Sequence, residues 1–159
     1  MQNPPPIPEL LAELASFCRA LASILADGTR DWFYRPAPEE WSLTEIACHL
    51  RDVELEVHQA RIRALIEEDG AFLPGVDADE WAEQRNYRMQ DGRIAMADFL
   101  YARQETIGLL ASLPVEVWDR QGQHTFFGPT SMREIVYLAI QHDRTHARQI
   151  ALLDVKSAG

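Results

Sequence analysis

Cysteine, lysine and long apolar runs are all scarce in this 159-residue chain. Its two cysteines, Cys18 and Cys48, are too few for a disulfide scaffold and lack the CxxC spacing of a redox or zinc motif. No apolar stretch approaches the roughly 18 residues that span a bilayer, so no membrane partner is expected. Met1-Gln2-Asn3-Pro4-Pro5-Pro6 places no basic segment ahead of an apolar run, so no secretory signal is expected and the expected compartment is the cytoplasm. Positive charge is short throughout. Fifteen basic residues, of which only Lys156 is a lysine, face 25 acidic ones, for a formal net charge of -10. Without a local basic patch, such a chain is repelled by phosphate backbones and anionic lipid, which argues against nucleic acid as a partner.

What the sequence does contain is helical periodicity. The 47% hydrophobic and 25% charged residues are an ordinary globular balance, and a single domain over residues 1–159 is expected. After a proline-rich lead-in over Pro4–Pro8, expected to be non-helical, Leu10, Leu14, Phe17, Leu21 and Ile24 recur at three- and four-residue steps up to a stop at Gly28. Ser42 and Glu45 have capping-box spacing, and Ile46, Leu50, Val53, Val57, Ala60 and Ala64 then hold one face to about Asp69. Asp77 to Met89 reads as a shorter, lid-like helix. A third long helix opens near Asp91, carries Ala95, Phe99, Ala102, Thr106 and Leu110 inward, and ends before Pro114. Residues 115–130 read as irregular, with a short extended piece at His124. Ser131 and Glu134 repeat the capping box and start a last helix over about Met132–Leu153. These signals predict an all-α four-helix bundle with an additional short helix between the second and third long helices.

Three histidines fall on the inner faces. At about 100° per residue, with Met132 as the origin, His142 lies near −80° and His146 near −40°, within the stripe of Ile135, Ala139 and Ile150. A four-residue step stacks two imidazoles on one face, where both reach one ion. His49 lies about 60° from Ile46 and 40° from Val53, at the edge of its own stripe. Three neutral nitrogens hold zinc, nickel, iron or manganese and leave coordination positions open. His58 falls off the stripe and His124 in a loop, so both are expected at the surface, and only His124 is kept as a candidate for the site. Asp143, directed inward, leads the carboxylates expected to hold the imidazoles' outer nitrogens, with Asp52 and Glu56 beside His49 and Glu45 one turn before it. Arg103 is expected in a surface salt bridge, or against a substrate carboxylate. Cys48 points away from the His49 stripe. Trp32, Trp41, Trp81, Tyr87 and Phe127 are expected to close the bundle ends or roof a pocket.

Two segments carry a family likeness. Trp41-Ser42-Leu43-Thr44-Glu45-Ile46-Ala47-Cys48-His49-Leu50-Arg51-Asp52-Val53-Glu54 resembles the second-helix signature of the DinB-like superfamily. His142-Asp143-Arg144-Thr145-His146-Ala147-Arg148-Gln149-Ile150 resembles its last-helix signature. The resemblance implies a four-helix bundle in which His49, His142 and His146 bind a divalent metal, zinc or nickel ahead of iron or manganese. It further implies a homodimer acting on small molecules. The activities it brings are transfer or isomerisation with a low-molecular-weight thiol such as mycothiol or bacillithiol, the first expectation, or metal-dependent hydrolysis. A non-catalytic bundle stabilised by metal is a third reading. A ferritin-type di-iron centre needs Glu-x-x-His pairs, and the chain has only Asp143-x-x-His146.

Overall fold

The computed structural model describes residues 3–159 and holds four long helical rods. The first, α1 (Ile7–Ala26), starts inside the proline lead-in rather than after it, because Pro8 occupies the first turn, where a missing N–H costs nothing. The second rod comprises α2 (Leu43–Val53), a π-helical turn over Glu54–His58, and α3 (Gln59–Glu67). The Ser42 side chain accepts from the Glu45 N–H, and the Glu45 carboxylate accepts from the Ser42 N–H, so the capping box is complete. Between the second and third rods lie β1 (Phe72–Leu73), a one-turn helix α4 (Trp81–Gln84) and a 3-10 turn over Tyr87–Met89. The third rod is α5 (Gly92–Ala111), capped by Asp91. The fourth, α7 (Met132–Ala158), closes a second full capping box at Ser131 and runs about one turn past the expected end at Leu153.

Residues 115–130 are more ordered than their sequence suggests. They form the short helix α6 (Val115–Trp118) and a hairpin of β2 (Gln121–His124) and β3 (Gly128–Ser131). Strand β1 pairs in parallel with β2, giving a three-stranded sheet in the order β1-β2-β3. Alternation is hard to see where Gly122 and Gln123 supply the strand residues. The hairpin turns at Gly128, whose φ of 67° favours glycine. At Gly75, beyond β1, a Cβ would lie 2.3 Å from the Phe126 ring, so a larger residue there would displace that exposed ring.

Two apolar clusters fill the bundle. One joins Phe17, Leu21, Ile46, Leu50, Phe99 and Ile150; the other joins Leu10, Leu14, Ile62, Leu65, Leu110 and Ile140. Along every rod the two sets occupy opposite ends, and a buried polar belt lies between them. Arg103 Nη1 and Nη2 grip Asp143 at 2.6 and 3.0 Å, and Nη2 meets Glu54 Oε2 at 2.8 Å. The Thr106 hydroxyl donates to Glu54 at 2.6 Å and accepts from Gln59, whose amide also donates to the Ala102 carbonyl. Arg103 is therefore not in a surface salt bridge. Its guanidinium is almost wholly buried between two carboxylates.

Glu54 opens the π turn and Gln59 follows it, and both bond to α5, so the belt offsets the cost of the extra residue in that turn. Removing one partner of a buried ion pair strands the remaining charge. Arg103→Met is expected to lower stability by about 3–5 kcal/mol at pH 7. Ser42→Ala, which loses only a cap, should cost about 1 kcal/mol. Urea unfolding of both variants against the parent checks the order; equal losses would remove the belt from its central role.

Candidate metal centre

His49 on α2 and His142 and His146 on α7 turn their Nε2 atoms toward one another. Nε2 of His142 lies 3.0 Å from that of His49 and 3.2 Å from that of His146, and one ligand atom from each ring fits within a 4.8 Å span. Two nitrogens on one tetrahedral or octahedral ion stand roughly 2.8–3.4 Å apart. The proton count points the same way. The Nδ1–H of His146 donates to Gln149 Oε1 at 2.8 Å, which leaves its Nε2 bare. A single hydrogen on His142 Nε2 serves one neighbour only, and without it His142 faces the bare nitrogen of His146. At least one of the two close contacts is thus left without a hydrogen bond, and a cation between the nitrogens resolves it.

Burial keeps the three rings neutral, the state that binds metal. His49 is pushed down to about 3, first by burial and then by His146. His142 is driven lower still by burial and by His146, His58 and His49, and His146 is lowered by burial against the opposing pull of Gln149. The Ala78 backbone favours a proton on His49, although no hydrogen bond of ordinary geometry closes on its buried Nδ1.

The cluster opens onto a cavity of about 1030 Å³. Trp41 roofs it, stacked parallel to His146 at 6.4 Å and tilted against His49 at 5.0 Å between ring centres. Val57, Val76, Leu138 and Phe127 supply apolar wall, and Asp77–Asp79, the start of the expected lid, form part of the rim.

The expected carboxylate partners lie elsewhere. Asp143 faces Arg103 because one residue along a helix is a turn of about 100° away from His142. Asp52 is bound by Arg51 at 2.7 Å, Arg85 at 2.8 Å and the Tyr87 hydroxyl at 2.6 Å; Glu56 pairs with Arg85; Glu45 serves the cap and Arg35. Gln149 holds His146 instead, at a three-residue spacing legible in the sequence. Cys48 is fully buried, its thiol pushed up to about 11 by burial, and it donates toward Gln90. Of the other aromatics, Trp32 and Tyr87 are core residues, and Trp81 carries Arg85 over its ring at 3.9 Å.

His58 and His124 are buried cavity-wall residues, not surface ones. The reason for His58 is the π turn. Nine regular residues would put it about 180° from His49, but the extra residue turns everything after it back by about 100°. Its ring sits 5.2 Å from that of His142, and burial pushes it down to about 4. His124 is set inward by the period of β2.

These shifts carry a sign. An unfolded chain takes up protons near pH 6.5 that buried His49 and His58 refuse until about pH 3 and 4, so stability is full above about pH 6.5 and falls as pH drops below it. Asp143, held up to about 6 mainly by burial, works in the opposite sense. Each refused proton contributes up to about 1.4 kcal/mol per pH unit. Chelator-treated protein is expected to lose urea resistance between pH 7.5 and 5.5, with His58→Gln reducing the slope. A flat profile would contradict it.

Residues 27–150 match the family model of the DinB superfamily. Among solved structures, YfiT from Bacillus subtilis, described as "a probable metal-dependent hydrolase with an unusual four-helix bundle topology", shares the fold. The TM-score is 0.82 at 16% identity, over 96% of this chain and 87% of that one. No curated protein matches the chain. No helix among the described residues is long and apolar enough to cross a membrane.

Proposed function

The chain belongs to the DinB superfamily, and on that footing we propose that it is a metal-dependent enzyme whose one divalent ion is held by His49, His142 and His146. The convergence of three Nε2 atoms at the floor of an open cavity carries this reading. An all-imidazole donor set suits zinc or nickel ahead of iron or manganese. When bound, such an ion lowers the pKa of a thiol or water and supplies a nucleophile near neutral pH. The chain's own residues do the rest. Gln149 holds His146 in the tautomer that presents Nε2, Trp41 covers two of the rings, and the apolar walls limit water around the reacting groups.

Transfer or isomerisation with a low-molecular-weight thiol is the first reading within that class. About 1030 Å³ is at the upper end of ordinary ligand sites and leaves room for a thiol beside a second molecule. Hydrolysis is the second, favoured by the fold shared with YfiT. In both readings residues 1–159 act as one domain on a small molecule, as a cytoplasmic homodimer.

Metal analysis is expected to find one ion per chain in the parent and none in His142→Ala. The zinc- or nickel-loaded protein should turn over chlorinated or epoxide substrates with bacillithiol, mycothiol or glutathione, and His49→Ala should abolish that turnover. Ester hydrolysis without thiol turnover would select the second reading. Bound metal with neither activity would make the site a structural support.

A further inference from the structure

Arg61 and Arg120 are the two sheltered arginines that meet no carboxylate among the described residues, and Arg120 gives its Nη1 to the Leu65 and Ile66 carbonyls of α3. Arg35, Arg51, Arg85 and Arg103 each meet a carboxylate. Arg61, half-buried on α3 and lining the cavity, makes no ion pair among the described residues of a chain with ten more acids than bases. Its Nη2 donates to the Pro74 carbonyl at 2.9 Å, while among the described residues Nε is buried without an acceptor and Nη1 makes no hydrogen bond. Burial lowers its pKa and nothing offsets the effect. An unpaired cation in a sheltered wall is costly unless a ligand completes it.

His124 faces the same cavity and feels the Arg61 charge. Its Nδ1 accepts from the Phe126 N–H at 3.1 Å, so in the neutral ring Nε2 carries the hydrogen and is a donor. Val57, Val76, Phe126 and Phe127 supply apolar lining to the same cavity. The π turn places Arg61 here. Twelve regular residues would set it about 120° from His49, and the extra residue brings it back to about 20°. It therefore follows His58 along the wall, one turn beyond the ring that touches His142.

We propose that Arg61 and His124 form a carboxylate-binding subsite, so that the substrate class is an apolar monocarboxylic acid whose reactive group lies at the three-histidine centre. Nε is sealed from the cavity, but Nη2 spends only one of its two hydrogens on Pro74, and Nη1 with the other end of Nη2 is a planar fork that suits a carboxylate's two oxygens. One positive charge matches a monoanion, whereas a phosphate dianion would leave excess negative charge near Glu39, Glu40, Asp77 and Asp79 on the same cavity's lining. This assignment rests on the cavity being the substrate site of the enzyme proposed above.

Calorimetric titration of the zinc-loaded protein with phenylacetate, 3-phenylpropionate and 4-phenylbutyrate, each beside its neutral amide, tests it. At least one acid is expected to bind about ten-fold or more tightly than its amide. Arg61→Met should bring the acid to the level of the amide, Arg61→Lys should keep part of the preference, and His124→Asn should weaken the acid alone, with zinc content and melting temperature near the parent's. Equal binding of acid and amide, or no binding in the series, would overturn the subsite. So would a preference that persists undiminished in Arg61→Met, because it would place the anion on the histidine centre. Zinc content measured on the same samples reports separately on the metal reading. Parent protein that holds no zinc yet keeps an Arg61-dependent acid preference would sink that reading and leave the subsite standing.

Discussion

The guanidinium of Arg103, held between Glu54 and Asp143, ties three of the four rods together at mid-height. Charge makes this contact unforgiving, since any one of the three groups left alone in the interior would meet the desolvation cost of a buried ion. Two carboxylates share one cation, so the belt keeps excess negative charge, and Asp143 titrates high because burial resists its ionised form. Apolar packing above and below gives the bundle most of its stability, but it specifies rotation and register less sharply than a fork of hydrogen bonds does.

That belt reaches the site through the backbone. Glu54 begins the π turn and Gln59 follows it, both fastened to α5. Asp143 lies next to His142, so the bond that orients α7 about its axis also sets the direction of His142 and, one turn on, His146. The three imidazoles therefore converge without a carboxylate of their own. A neutral polar partner, Gln149, sets the proton on His146 and leaves the cluster uncharged before a cation arrives. This arrangement differs from a carboxylate–histidine pair, which would raise the basicity of the ligand and add negative charge around the ion.

The cavity has a polarity of its own. Acidic side chains lie on the rim near Trp41 and the Asp77–Asp79 loop, the neutral imidazoles form the floor, and Arg61 stands on α3 beside the hairpin. In the reading proposed above, a molecule bound there would be oriented by charge before any chemistry begins. Strand β2 and the Phe126–Phe127 turn supply one side of that wall, so the small sheet borders the cavity while Leu73 of β1 packs into the core.

The sequence by itself determined the rods, their two capped starts and the three inward histidines, because each is a property of one helix read at its own period. Leu10 to Ile24, Ser42 with Glu45, and His142 with His146 need no knowledge of a neighbour. Only the tertiary structure decided the rest. The turn at Glu54–His58 departs from the regular period because α5 bonds to it, and this rotation brings His58 and Arg61 onto the cavity wall. Asp143 points inward as its spacing says, but whether it meets an imidazole or a guanidinium depends on which helix packs against it. Strand β1 exists through pairing with β2 across about fifty residues of chain, and local pattern carries no record of such a partner, while the β2–β3 hairpin is local but its Gly, Gln and Pro residues hide the strand period.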